Sequence, residues 1–241
     1  PGFDISLPLG LVPGRHGAPG LQELEAVSPF SSSLSTSSSS QQTPLPRRYW
    51  LTFRGSLNYG SNERRALMLP LARNSTPERP IVIAAYCHKK NGTFNENGEI
   101  SFEQCNELER NRFKGPSYLS LLNTTFALAP GGMQPATHRL DEICAAGAIP
   151  IFIGGDLVSS SAYVRPFDDV IPWHDISYHF PWKDTHRIVD TLMRISPDEI
   201  ARMQWGIHQA WQRYMRPPQA HRHTFYKLLE QRASRRFRSR I

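Results

Sequence analysis

Continuous apolar runs of strand length are the clearest pattern in this chain. Ile81 to Tyr86, Phe126 to Ala129 and Ile149 to Ile153 each place apolar residues at successive positions. A strand with one exposed face would alternate apolar and polar residues, so the unbroken runs predict strands that are covered on both faces. Tyr49 to Phe53, an aromatic and β-branched run closed by Gly55, predicts a further strand.

Segments with helical spacing lie between these runs. Thr137 to Ala146 has apolar residues at helical spacing, acidic residues in its early turns and Gly147 as a stop signal. Ser196, Pro197 and Glu199 form the start signal of another helix: a hydroxyl cap, a proline at the first helical position and a glutamate three residues after the cap. Other helices are predicted at 63–71, 118–122 and 184–194, and another strand at 176–180.

The alternation of strands and helices decides the predicted fold class. It favours an α/β fold with a Rossmann-like, mostly parallel sheet and helices on both faces. Sheets of this kind bind ligands beyond the carboxyl ends of their strands. A ligand site is therefore expected at the turns that follow the strands.

Composition divides the chain into three parts. Residues 1–46 are rich in Pro, Gly and Ser, include a serine tract and have almost no apolar periodicity, so we expect a disordered linker. Residues 47–232 carry the strand and helix patterns and form the predicted domain. Residues 233–241 are a basic tail.

The net charge of +7 does not predict a nucleic-acid partner. Much of the excess lies near the terminus, in Arg232, Arg235, Arg236, Arg238 and Arg240. A terminal basic run is typical of a solvated helix end, whereas nucleic-acid binding needs a basic groove or stripe.

Three acceptor patterns for N-glycosylation favour a secretory compartment; they begin at Asn74, Asn91 and Asn123. Cys87 follows an apolar strand and Cys105 closes a polar excursion, so we hypothesise a disulfide between them. Two reduced, half-buried thiols are the alternative. No apolar run of about 18 residues is present, so membrane attachment would require a segment outside this chain.

Candidate chemistry concentrates between Phe126 and Ile153, which form a strand, a glycine turn, a helix and a strand. Gly131 and Gly132 would allow a phosphate to approach the backbone near the helix N-terminus. Arg139 and Glu142 are three residues apart, hence on one side of that helix. They offer a cation for a diphosphate and a carboxylate for sugar hydroxyls, but the same spacing is typical of a surface ion pair.

The same region resembles the donor-site block of the exostosin glycosyltransferases. The resemblance rests on 126–132, 137–142 and 146–151, with further blocks at 48–55, at Cys87 and Cys105, at Arg165 to Phe167 with Trp173, and around Trp211. It covers about residues 47–230. Gly131 stands where the family usually has arginine and Ala148 where it often has cysteine.

The resemblance implies a GT-B fold, in which this chain is the C-terminal, donor-binding lobe and an absent N-terminal lobe holds the glycan acceptor. It implies inverting transfer of a hexosyl or pentosyl group from a UDP-sugar, in the Golgi lumen, by a protein that is membrane-anchored at full length. Arg139 would bind the diphosphate and Glu142 the ribose. Thr137 would cap the helix, and Gly131 and Gly132 would donate backbone N–H groups.

Several expectations complete this interpretation. The chain has no Asp-x-Asp motif, so neither a metal nor another cofactor is expected. Trp173 is the candidate for a sugar contact, while Trp205 and Trp211 are expected in the core. No catalytic base is assigned, and the chain alone is expected to be inactive. A non-catalytic subunit that assists a partner transferase remains the alternative, and a dehydrogenase is disfavoured because no Gly-x-Gly-x-x-Gly turn occurs.

Overall fold

A computed structural model describes residues 19–30, 44–56, 62–86, 115–131, 139–154 and 165–238. The strands are β1 (Tyr49–Ser56), β2 (Ile81–Tyr86), β3 (Thr124–Pro130), β4 (Ile149–Ile153) and β5 (Tyr178–Phe180). The α-helices are α1 (Leu21–Ala26), α2 (Tyr118–Leu122), α3 (Arg139–Ala145), α4 (Trp173–Ile176), α5 (Ile188–Leu192), α6 (Pro197–Ala210) and α7 (Gln219–Arg238). Two 3₁₀ helices (Asn62–Asn74 and Trp182–Arg187) and a π-helical turn (Trp211–Met215) join them.

The strands form one sheet in the order β2-β1-β3-β4-β5, and every pairing in it is parallel. The predicted fold class is therefore confirmed: helices flank a Rossmann-like parallel sheet. Because all five strands run the same way, their carboxyl ends lie along one edge of the sheet. The loops that follow β1, β3 and β4 leave from that edge.

Both faces of β3 and β4 are buried, which explains their unbroken apolar runs. The run at 81–86 was predicted to be covered on both faces, but β2 lies at the edge of the sheet and residues 82–84 are only half-buried. Ala127, Ala129 and Phe152 belong to one core cluster, together with residues of α3, α4 and α6. Phe126 and Leu128 belong to a second cluster, together with residues of β1 and of the 3₁₀ helices. Successive residues of a strand point to opposite faces, so β3 and β4 contribute to both clusters.

Helix α6 begins as the sequence predicts, because the Ser196 hydroxyl accepts a hydrogen bond from the Glu199 N–H at 3.2 Å. The segment before it differs from the prediction. The predicted strand 176–180 is confirmed over Tyr178–Phe180, which form β5, whereas Ile176 is the last residue of the short helix α4. The predicted helix 184–194 is a 3₁₀ helix that continues as α5. No helix of the described segments is long and apolar enough to cross a membrane.

The predicted linker is wrong for residues 19–30. Leu21 to Ala26 form α1, and the Leu24 side chain is fully buried in the first core cluster. A helix of six residues is not stable alone in water, so tertiary packing holds this one in place. The composition of the surrounding segment, rich in Pro, Gly and Ser, gave no indication of this buried leucine. Residues 1–18 and 31–43 lie outside the described residues.

Two arginines attach the N-terminal segment to the domain. The Arg47 guanidinium donates hydrogen bonds to the backbone oxygens of Val27 and Ala146, the latter at 2.5 Å. Burial lowers the pKa of Arg47 to about 9. The Arg216 guanidinium donates to both carboxylate oxygens of Glu25, at 2.6 and 3.0 Å. The domain therefore includes α1.

Gly147 ends α3 as predicted, with a φ of 67°. A Cβ at this position would lie 2.7 Å from Pro29 Cδ and 2.8 Å from Ser28 Oγ. The glycine thus supplies both the left-handed backbone and the space in which the segment after α1 packs. At the other end, α7 continues through Arg238 into the segment predicted as a basic tail.

The Glu25 contacts predict a pH-dependent contribution to stability. Burial alone would raise the pKa of Glu25, but hydrogen bonds from Arg216 and Trp211 together with the Arg216 charge bring it below its usual value of 4.5. A carboxyl whose pKa is lower in the folded state stabilises the fold above the unfolded pKa. That stabilisation is lost as the pH falls through the folded pKa.

We expect Glu25→Gln to lower the free energy of unfolding by about 1–2 kcal/mol at pH 7 and by much less at pH 3. Urea unfolding at both pH values measures the difference. Glu78→Gln is the matched control, since Glu78 lies in an exposed turn. A loss that is equal at both pH values would contradict the assignment of the effect to the Glu25 charge.

Candidate functional site at the carboxyl edge of the sheet

Arg139 lies over the end of β1, at the carboxyl edge of the sheet. Its guanidinium carbon is 5.4 Å from the centre of the Phe53 ring and 5.1 Å from the centre of the Tyr118 ring. A Cβ at Gly55 would come within 2.8 Å of Phe53 Cζ and 3.4 Å of Arg139 Nη2. Glycine at position 55 therefore makes room for the cation at the carboxyl edge.

Glu142 and Arg139 meet at one phenol. The Tyr118 hydroxyl donates a hydrogen bond to Glu142 Oε2 and accepts one from Arg139 Nη1 at 3.2 Å. Tyr118 is the first residue of α2, so its position does not depend on the helix that carries the other two. The two predicted site residues thus share a partner and are held on the same side of α3.

The Tyr118 hydroxyl keeps its proton throughout the physiological pH range. Burial raises the pKa of this phenol, and the Glu142 carboxylate raises it further, while the Arg139 and Arg54 charges act in the opposite direction. A protonated phenol can donate to a carboxylate and accept from a guanidinium at the same time. The contact therefore fixes both charged side chains without adding a charge.

Arg54 brings a second cation to this cluster. It precedes Gly55 near the end of β1, and its guanidinium carbon lies 5.9 Å from the centre of the Tyr118 ring. Two guanidinium groups and one carboxylate thus surround one phenol. Their formal charges give an excess of one positive charge at the edge where parallel sheets bind ligands.

The described residues of the predicted turn do not fully match the predicted role. Gly131 follows β3 directly, but its backbone N–H donates to the Ile153 oxygen at 2.9 Å. This hydrogen bond extends the β3–β4 pairing and occupies the Gly131 N–H, which was predicted to donate to a phosphate. The prediction is therefore wrong for Gly131 in this conformation. Gly132 and Thr137 lie outside the described residues.

The exostosin GT47 domain family matches residues 17–195. The chain belongs to this family. The match begins before α1, in agreement with the burial of Leu24.

Relatives of this exostosin GT47 domain include much longer proteins. It is 26% identical over 222 residues to Exostosin-1 of Drosophila melanogaster, covering 88% of this chain and 25% of that protein. It is 36% identical over 87 residues to "Probable beta-1,4-xylosyltransferase" of Arabidopsis thaliana, covering 36% of this chain and 20% of that protein. It is 34% identical over 87 residues to "Probable glucuronosyltransferase" of Oryza sativa subsp. japonica, covering 36% of this chain and 19% of that protein. The chain thus spans a quarter or less of these relatives, two of which are named as glycosyltransferases.

Trp173 of the exostosin GT47 domain is not available to a sugar, and this prediction is wrong. Its side chain is 1% exposed, its ring packs edge-on against Phe152, and its Nε1 donates to the Pro166 oxygen at 2.9 Å. Trp211 is buried, as predicted. The prediction is wrong for Trp205, which is 43% exposed and stacks on His208 because it lies on the outer side of α6.

The predicted modification sites occupy different surroundings. Asn74 lies in an exposed segment at the end of the first 3₁₀ helix, whereas Asn123 is half-buried and its Oδ1 accepts from the Arg48 N–H at 3.3 Å. Asn91, Cys87 and Cys105 lie outside the described residues. The described part of the chain contains no group of three or more His, Cys, Asp or Glu side chains placed to hold a metal ion.

Sequence reasoning missed Arg54, Gly55 and Tyr118 as members of this site. The sequence did offer an indication for Arg54 and Gly55, because residues 48–55 resemble a block of the exostosin family and end at the carboxyl end of β1. The sequence gives no such indication for Tyr118. It lies 24 residues before Glu142, and only the fold brings the two together.

Proposed function

We propose that this exostosin GT47 domain is the donor-binding lobe of a glycosyltransferase and binds a UDP-sugar at the carboxyl edge of its sheet. The cluster formed by Arg54, Arg139 and Glu142 around Tyr118 carries the proposal. It combines cations for a diphosphate with a carboxylate for hydroxyl groups, at the edge where doubly wound sheets bind nucleotides.

The diphosphate is assigned to the two arginines. A guanidinium offers parallel N–H donors that match two phosphate oxygens, and it keeps its charge at any physiological pH. Hydrogen bonds to a charged group contribute about 1.5–3 kcal/mol each, so two arginines can provide most of the affinity for UDP over uridine. When the sugar leaves, the same cations stabilise the negative charge on the departing diphosphate.

Glu142 is assigned to the ribose hydroxyls. Its Oε2 accepts the Tyr118 hydrogen bond, which leaves Oε1 outside that bond and fixes the direction of the carboxylate. A carboxylate in a defined orientation can accept from two neighbouring hydroxyls of a ribose. Tyr118 is therefore a positioning residue for both charged groups.

The transfer itself is proposed to be inverting and metal-independent. An acceptor hydroxyl of a glycan attacks the anomeric carbon as the bond to the diphosphate oxygen breaks, and its proton passes to a base that is not assigned in this chain. The N-terminal lobe, outside this chain, would hold the acceptor. The names of two plant relatives, a xylosyltransferase and a glucuronosyltransferase, support a pentosyl or hexosyl donor.

We place the full-length protein in the Golgi lumen, anchored through a segment outside this chain. The acceptor patterns for N-glycosylation support this location, and Asn74 has the exposure that modification requires. The proposed disulfide between Cys87 and Cys105 belongs to the same hypothesis, because disulfides persist in oxidising compartments.

Calorimetric titration of the 241-residue chain with UDP and with uridine tests the donor-site proposal. We expect UDP to bind at least about tenfold more tightly than uridine, since only UDP presents the diphosphate to the arginines. Equal affinities, or no binding of UDP to a folded chain, would contradict it.

A non-catalytic subunit that assists a partner transferase is the second candidate. The occupied N–H of Gly131 favours it, because a donor for the departing phosphate is missing in this conformation. The full-length protein decides between the two functions: transfer from a UDP-sugar supports the enzyme, whereas UDP binding without transfer supports the subunit.

A further inference from the structure

A cavity of about 320 Å³ lies beneath the C-terminal helix, away from the carboxyl-edge cluster. Its walls come from α7, from the π-helical turn and, through Val170, from the turn before α4. None of its lining residues belongs to the proposed donor site. A volume near 300 Å³ is at the lower end of the range for small-molecule sites and suits a single sugar unit.

One face of α7 forms the longest wall. His223, Lys227 and Gln231 are spaced four residues apart, as are Thr224 and Leu228 one residue further along. Residues four apart lie above one another on a helix, so the first set forms the outer stripe and the second set the inner stripe. Burial follows this division, since Thr224 and Leu228 are 3% and 2% exposed.

The cavity is positively charged. Arg213 and Lys227 line it together with His223, and no acidic side chain is among its lining residues. Neither Arg213 nor Lys227 forms an ion pair with any residue in the described ranges. Asp169, the acid close to this region, is paired with Arg232 at 2.5 Å. The Arg213 guanidinium lies 5.9 Å from the centre of the Tyr214 ring, and in the described ranges no carboxylate neutralises either Arg213 or Lys227.

Two contacts join α7 to the turn before α4, one on each side of the cavity. At one end the Phe167 ring packs edge-on against His221, with 5.5 Å between ring centres. At the other end Arg232 binds Asp169. The two contacts lie on α7 on either side of the cavity-lining residues and join this helix to the turn that carries Val170.

The floor is apolar while the rim is charged. Val170 and Leu228 supply aliphatic surface, and Tyr214 adds an aromatic ring with a polar end. Sugar rings present C–H groups on one face and polar groups at their edge, which matches such a floor and rim. We propose that this cavity binds a saccharide-sized ligand that carries an oxyanion, with Arg213 and Lys227 binding the charge and Tyr214 contacting the ring.

Backbone amide NMR on the full chain tests the proposal, with glucose 6-phosphate, inorganic phosphate and glucose as probes at constant ionic strength. We expect glucose 6-phosphate to shift the amide signals of Thr224 and Leu228 saturably, and glucose to leave them unchanged. Inorganic phosphate should bind more weakly, because it lacks the ring. Equal affinity for inorganic phosphate would overturn the saccharide part and assign the oxyanion to free phosphate.

Charge variants separate a specific site from general attraction to a basic protein. Lys227→Ala and Arg213→Ala should each weaken glucose 6-phosphate binding about tenfold, and Lys227→Arg should restore most of the loss. Lys183→Ala is the matched control, since it removes one charge from an exposed lysine outside the cavity. Absence of saturable shifts, or an equal loss in Lys183→Ala, would overturn the proposal.

Discussion

Trp173→Ala is expected to lower the free energy of unfolding by about 3–5 kcal/mol, the range for deleting a large buried aromatic side chain. The substitution empties a site in the first core cluster and leaves the Pro166 oxygen without its indole donor. Urea unfolding of the 241-residue chain measures the loss.

Trp173→Phe separates a core role from a sugar contact. It keeps most of the buried ring while removing the Nε1–H donor, so we expect a smaller loss of stability and unchanged affinity for UDP. As a control on the outer surface, Trp205→Ala should cost much less stability, since that ring is 43% exposed. If the Trp173→Phe protein had full stability but discriminated poorly between UDP-sugars, the core role would be contradicted and a sugar contact supported.

Arg139→Ala is expected to weaken UDP binding about 10- to 100-fold while leaving uridine binding nearly unchanged, if Arg139 binds the diphosphate. The loss follows from removing a charged donor that also holds the Tyr118 hydroxyl. Calorimetric titration with both ligands measures the two affinities and separates the diphosphate from the nucleoside.

Two further variants test whether the geometry of Arg139 matters as well as its charge. Arg139→Lys keeps the charge but loses the paired donors, so we expect partial recovery only. Arg194→Ala, in an exposed turn after α5, removes the same charge away from the site and should change neither affinity. Equal losses for UDP and uridine in Arg139→Ala would show that the substitution disturbs the fold rather than the diphosphate site.

The sequence predicted the central sheet well because burial on both faces leaves a local signal. The runs at 126–129 and 149–153 became β3 and β4, since residues that face either core cluster must be apolar. The start of α6 could also be predicted from the sequence, because the Ser196 cap is a contact between residues three apart in the chain.

The errors share a physical cause, which is that the deciding contact lies far away in the chain. Leu24 stabilises α1 only against residues of the distant core, so the composition of its own segment indicated disorder. The sequence around Trp173 does not indicate whether its ring faces a sugar or, as in the structure, Phe152. Whether the Gly131 N–H is available depends on how far the β3–β4 pairing extends, which composition does not encode.

The same reasoning applies to the site. The spacing of Arg139 and Glu142 placed them on one side of α3, which the structure confirms through their common contact with Tyr118. The choice between a surface ion pair and a ligand site depended on Tyr118 and Arg54, which approach from two other elements. Periodicity describes one helix at a time and could not supply them.

The bond between Glu25 and Arg216 has a consequence for the order of folding during synthesis. Its partners are 191 residues apart in the chain, so α1 leaves the ribosome long before Arg216 can bind Glu25. The parallel sheet can begin to assemble while Leu24 is still exposed to water. The contact between Glu25 and Arg216 therefore forms only after all five strands of the sheet have been made.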